Sequence, residues 1–157
     1  MASGRSSKLT GQGGEFLVCA ELGRRGILAT PFAGNVPEFD VIAVGEGHTT
    51  VPIQVKASNY TSWQTNLQQW LNVAYDRRRR RHDFRGKKRL KNLDLIYVFV
   101  ALGEPIDRFY VLSQWRVRET VWKNYLAVME PVEFRRPNKP ESMHWVTCPR
   151  SSYQVLS

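Results

Sequence analysis

The clearest pattern along the chain is a pair of short apolar segments joined by a turn. Val41-Ile42-Ala43-Val44 is continuously apolar and follows Asp40, so it reads as a strand buried on both faces with an acid at its entrance. Gly45-Glu46-Gly47-His48 has turn composition. Beyond it Val51, Ile53 and Val55 point one way along a strand, and Gln54 and Lys56 the other. Folded back on each other, the two strands bring Asp40, Gln54 and Lys56 into one patch.

The rest of the chain fills in around this pair. Met1 to Gln12 has no apolar period and reads as a flexible start. Gly13 to Arg25 reads as a helix, with Phe16, Ala20 and Gly23 on one stripe, Val18 and Leu22 on another, and Gly26 as its stop. Ile27 to Phe32 is a short strand, and residues 33 to 37 are a turn. Thr61 to Tyr75 predicts a second helix, because Trp63, Leu67, Trp70, Leu71 and Ala74 recur at helical spacing behind a Thr61 or Ser62 cap. Asp94 to Leu102 is a buried strand and Arg108 to Leu112 another. Ser113 caps a third helix running to Tyr125, with Trp115, Val121, Trp122 and Tyr125 inward. Met129 to Pro140 is irregular, and Trp145 to Thr147 adds an edge strand. This order predicts an α/β layer fold with a mixed sheet.

Composition narrows the class. At 157 residues, 42% hydrophobic, residues 1–157 form a single domain with a core that needs no disulfide or structural metal. Cys19 and Cys148 have no partner spacing, which points to a reducing compartment. The basic, polar start has no apolar segment of a secretory signal, and Leu95 to Leu102 is too short to span a bilayer. A soluble, intracellular protein follows: cytoplasmic, or nuclear in a eukaryote, with no membrane partner.

Charge sharpens this further. The chain holds 23 basic and 14 acidic residues, a net charge of +9. Arg77, Arg78, Arg79, Arg80, Arg81, Arg85, Lys87, Lys88, Arg89 and Lys91 lie within a fifteen-residue basic insertion at about 77–91, against Asp83 alone. The remaining 13 basic and 13 acidic residues balance, so the net charge sits in this insertion. Such a block repels itself, and reads as solvated and mobile until a polyanion neutralises it. Nucleic acid is that polyanion, ahead of a targeting patch or an anionic membrane contact. The run has no interleaved aromatics, so it suggests backbone attraction without base readout.

Phosphodiester hydrolysis needs a divalent metal, anionic oxygens to hold it and a cation near the developing charge. Mg²⁺, or Mn²⁺ in its place, takes oxygen ligands and keeps several waters. Asp40 supplies a carboxylate, Gln54 an amide oxygen and Lys56 the cation; Glu15 adds a second carboxylate if its helix packs over the sheet. Each residue alone has an ordinary explanation. Asp40 could accept turn amides, Lys56 could snorkel at an edge, and Glu15 could be a first-turn acid. Glu38, two residues from Asp40, is a rival ligand ranked below Glu15. His48, His82 and His144 lack metal-ligand spacing, and His82, among arginines, reads as solvated. Tyr60 and Trp63 could flank a substrate strand.

Glu15 on the first helix, Pro37-Glu38-Phe39-Asp40 and Gln54-Val55-Lys56 together resemble the PD-(D/E)XK nuclease superfamily. They are most similar to the branch of archaeal Holliday-junction resolvases. The resemblance covers roughly the first 60 residues, and only the order of elements thereafter. It implies a restriction-endonuclease-like mixed β-sheet flanked by helices, with Asp40 as the invariant acid, Lys56 as the lysine and Glu15 as the helical glutamate. Gln54 stands where the family more often has Glu or Asp, and Phe39 rather than proline precedes the acid. The resemblance implies a Mg²⁺-dependent endonuclease with Asp40, Gln54, Lys56 and Glu15 catalytic, the first, second and fourth on the metal. DNA ranks ahead of RNA as substrate, and a homodimer would suit cleavage of two strands. The alternative is a nucleic-acid-binding protein of weak or no activity on the same fold.

Overall fold

The structure is a computed structural model and describes residues 4–32, 38–59, 62–103, 105–136 and 144–146. Helix α1 spans Gly4–Arg24, strand β1 Leu28–Pro31, β2 Val41–Val44 and β3 Thr50–Ser58. After these come β4 (Trp63–Asn66), β5 (Leu71–Asp76) and β6 (Arg81–Lys87). The chain continues with β7 (Ile96–Ala101), β8 (Arg108–Ser113), helix α2 (Gln114–Met129) and β9 (His144–Val146). Five strands form one mixed sheet in the order β1-β2-β3-β7-β8. Only β3 and β7 are parallel in it, which suits the long connection between them. The expected mixed sheet flanked by helices is present.

Two apolar layers hold the sheet. On one face Val18 of α1 packs over Val41, Ala43, Ile53, Val55, Val98 and Val100. On the other, Val117, Val121, Tyr125 and Met129 of α2 join Trp63, Leu67, Trp70, Phe99, Tyr110 and Leu112. β3 runs through the middle, so its alternation sends Ile53 and Val55 to the first layer and leaves Gln54 and Lys56 on the opposite side.

Helix α1 begins well before Gly13: residues expected to be a flexible start lie in it from Gly4. Glycine and serine hid this stretch because they add no apolar stripe and lower helix propensity. Within the expected part of the helix, Gly14 has a steric reason: a methyl there would overlap Ala57 Cβ, so the helix backbone lies directly against β3. Gly26, at φ +77°, closes the helix as expected, with Ile27 N–H donating to Leu22 O at 3.0 Å. Of the two stripes on α1, Val18 turns inward, whereas Phe16 is 56% exposed.

The helix expected over 61–75 is not formed; the segment is β4, a 3₁₀ turn at Leu67–Gln69, and β5. The same apolar residues serve a period of two, since Leu71 and Val73 are buried while Asn72 and Ala74 are exposed. What decides between the periods is β6, which pairs antiparallel with β5 from Asp76↔Arg81 to Leu71↔Lys87. Up to Lys87 the basic block is therefore a paired hairpin rather than an irregular segment. Arg77–Arg80 form the tip of a hairpin, ordered by Asp76, whose Oδ1 accepts from the N–H groups of Arg78 and Arg79 at 2.9 and 3.1 Å.

His82, expected to be solvated, is 1% exposed: alternation along β6 turns it and Phe84 inward while Arg81, Asp83 and Arg85 face out. Its Nδ1 lies 3.2 Å from Tyr125 Oη. α2 starts where expected, with Ser113 Oγ accepting from Arg116 N–H at 3.3 Å, but Trp115 is 49% exposed rather than inward. The edge strand expected near Trp145 is β9, paired with β4. Tyr60, Pro37 and Cys148 lie outside the described residues. No described helix is long and apolar enough to cross a membrane.

Candidate active site

The site forms where β2 begins and β3 runs on past it. Val41 pairs with Ile53, and Asp40, the residue before it, donates its N–H to Ile53 O at 2.8 Å, where the pairing of the two strands stops. The next donor along β3, Val55 N–H, is left without a strand partner on that edge. Asp40 Oδ2 takes it at 2.7 Å. The carboxylate thus closes the ladder from the side, a hydrogen bond that also fixes where it points. Gln54 donates its side-chain amide to the same Oδ2. That leaves Asp40 Oδ1 and the amide oxygen of Gln54 as the oxygens available to a cation.

Glu15 arrives from α1. The close approach at Gly14 sets the helix against Ala57, and the next residue places its carboxylate beside the end of β3. Its pKa is raised, first by burial and then by the charge of Asp40. Asp40, Glu15, Gln54 and Lys56 line one open cavity of about 540 Å³, with Gly11, Ser58 and Gln64 among its other walls. Lys56 forms no ion pair among the described residues. Glu38 is elsewhere: it accepts a hydrogen bond from the Asn92 side chain and does not line the cavity.

Two carboxylates repelling each other beside an amide oxygen make an oxygen donor set that Mg²⁺ or Mn²⁺ fits. A cation there would offset the burial of Glu15 and the repulsion from Asp40, the two causes that raise its pKa. Among the described residues no three His, Cys, Asp or Glu side chains gather to hold a metal. The remaining positions would fall to Gln54, backbone carbonyls and water.

Tyr97 belongs to this neighbourhood and carried no signal in the sequence. The parallel pairing of β3 with β7 sets it opposite Gln54. Burial, and then the charge of Asp40, push its hydroxyl up to about 12. Ser58, two residues past Lys56 on β3, also lines the cavity, and the unexpected strand β4 brings Ser62 and Gln64 there. The alternation of β3 already pointed to Ser58, but only the pairing of distant segments could have found Tyr97, Ser62 and Gln64.

The basic residues do not share one environment. Arg77 to Arg81, Arg85, Arg89 and Lys91 are exposed. Lys87 instead pairs with Glu119 at 2.9 Å and lies 4.0 Å over the Trp122 ring, so it braces the hairpin against α2. Lys88 is partly buried, and its backbone links Trp70 O and Arg118 Nη1.

No family model matches the chain, and no curated protein matches it. Among solved structures it is similar to the bacterial homing endonuclease I-Ssp6803I, with 18% identity, 73% of each chain covered and a TM-score of 0.46. A likeness that remote assigns neither a substrate nor a reaction to this chain.

Proposed function

We propose that this protein is a metal-dependent endonuclease of the PD-(D/E)XK type that hydrolyses phosphodiester bonds, in DNA rather than RNA. The observation that carries the reading is the convergence of Asp40, Glu15, Gln54 and Lys56 on one open cavity. Asp40 and Glu15 would hold Mg²⁺ or Mn²⁺, with Gln54 adding its amide oxygen. When bound, such an ion supplies Lewis acidity toward a phosphate oxygen and a water. Asp40 is held in place by Val55 N–H, so its free oxygen needs no reorganisation on binding. Lys56, without a carboxylate partner among the described residues, is placed to stabilise negative charge developing on the phosphate or to orient the attacking water. The exposed arginines of the β5–β6 hairpin would attract the nucleic-acid backbone.

The test is cleavage of supercoiled plasmid, single strand, four-way junction and structured RNA with Mg²⁺ or Mn²⁺, comparing wild type with Asp40→Ala. Cleavage by wild type and its loss in the variant, with binding retained, is the expected result. A second reading, a nucleic-acid-binding protein without cleavage, draws on one observation: Gln54 gives Asp40 a neutral hydrogen-bond donor where a third carboxylate would have added charge. Binding without cleavage by both proteins would favour it.

A further inference from the structure

The outer face of the β5–β6 hairpin presents a reading surface that a basic loop would lack. A two-stranded antiparallel ribbon matches the width of the B-DNA major groove. Here its inner face is anchored: Leu71, Val73 and His82 are buried, and the Phe84 ring lies 5.5 Å from that of Tyr125. Its outer face carries Asn72, Ala74, Arg81, Asp83 and Arg85, all exposed. The ribbon is irregular between Leu71 and Val73, where Gly86 adopts φ +97°, and Asn72 and Arg85 line one shallow groove there.

Arg85 is held in a particular way. Its Nε and Nη2 donate to Asp83 Oδ2 at 2.8 and 2.6 Å, which uses one edge of the guanidinium. The other edge, Nη1 with the second hydrogen of Nη2, keeps the fork that matches O6 and N7 of guanine. Asn72 offers the donor and acceptor that match N7 and N6 of adenine. At the tip, Arg77–Arg80 are exposed and suited to phosphates.

We propose that the β5–β6 ribbon enters the major groove of duplex DNA and reads base edges through Arg85 and Asn72, while the arginine tip grips the backbone. The proposal rests on the nucleic-acid part of the functional reading and is independent of cleavage. Duplex RNA is disfavoured because its major groove is too deep and narrow for a ribbon. Single strands are disfavoured because Tyr75 and Phe84, the aromatic residues of the ribbon, are only partly exposed and pack against His82, Tyr125 and Phe134 instead of forming an open stacking platform.

The test is selection of a randomised duplex library by the full wild-type chain in EDTA at physiological salt, followed by titration of the enriched duplex. The expected result is an enriched motif whose recognised guanine, replaced by 7-deazaguanine, weakens binding. Arg85→Ala and Arg85→Lys should each lose roughly 5- to 150-fold in discrimination at one position, and Asn72→Ala a similar factor at a neighbouring one. Arg78→Ala with Arg79→Ala should weaken all sequences equally and make the salt dependence shallower. All four positions are exposed, so unchanged thermal midpoints will show that the variants fold. The proposal is overturned if no motif is enriched, if Arg85→Lys keeps full discrimination, or if a single strand, a junction or RNA binds more tightly than any duplex. Because the selection excludes divalent metal, its outcome is separate from the Asp40→Ala cleavage test.

Discussion

At Asp40 one carboxylate does two jobs whose demands differ. Its Oδ2 closes the β-ladder to Val55, and its charge is felt by Glu15 across the shared cavity. Glu15 shows the electrostatic consequence. With its pKa raised, the folded chain holds this proton more tightly than the unfolded chain does. The associated stability is therefore present below the ordinary carboxylate range and lost as pH rises through the raised folded value. In chelator, Glu15→Gln should flatten that part of the stability profile and raise the neutral-pH thermal midpoint by a small amount, read by calorimetry from pH 4 to 8. Gln54→Glu should do the reverse. It loses the amide donor to Asp40 and adds a third charge, so its midpoint should fall in EDTA and recover with Mg²⁺ more than that of wild type. Metal at about 100 times its Kd would add about 2.7 kcal/mol, which thermal shift detects readily.

Two elements position the site and its proposed substrate contacts, and each has a weak point. α1 can reach β3 only because residue 14 has no side chain. Gly14→Ala should cost about 1–3 kcal/mol in denaturant unfolding, as overpacked positions do, and should displace Glu15 from Asp40. The β5–β6 ribbon hangs on Leu71, which is fully buried. Leu71→Ala should cost about 2–5 kcal/mol and raise hydrogen exchange along β6. This ribbon is also where sequence periodicity misled. Trp63, Leu67, Trp70 and Leu71 satisfy a helical period, while Leu71, Val73 and Tyr75 satisfy a strand period. Nothing local distinguishes the two. The arginines around His82 and Phe84 then masked the alternation of the partner strand that settles it.

For the molecule as a whole, charge and fold are arranged separately. A sheet with an apolar layer on each face accounts for the core, and the net positive charge is concentrated on a hairpin whose inner face is buried against it. Binding to any nucleic acid should therefore weaken steeply with salt. Replacing Arg77, Arg78, Arg79 and Arg80 with alanine should lower the log–log slope by up to about 4 for duplex DNA, at about 0.9 for each phosphate no longer neutralised. A slope unchanged by these substitutions would locate the electrostatic attraction elsewhere on the surface.

By itself the sequence determined β1, β2, β3, β7, β8, the cap of α2 and the stop of α1, because each is written in local alternation, β-branched runs or a capping residue. It also determined that Asp40, Gln54 and Lys56 would be neighbours, since a hairpin of near-adjacent strands follows from a short turn. Only the tertiary structure decided the rest. Tyr97 reaches the cavity's neighbourhood through a parallel pairing of strands some forty residues apart. The reach of Glu15 depends on a close approach at Gly14, and the ribbon exists because β5 and β6 complete each other. These are contacts between distant segments. Their free energy comes from pairing and burial that no local window of sequence contains.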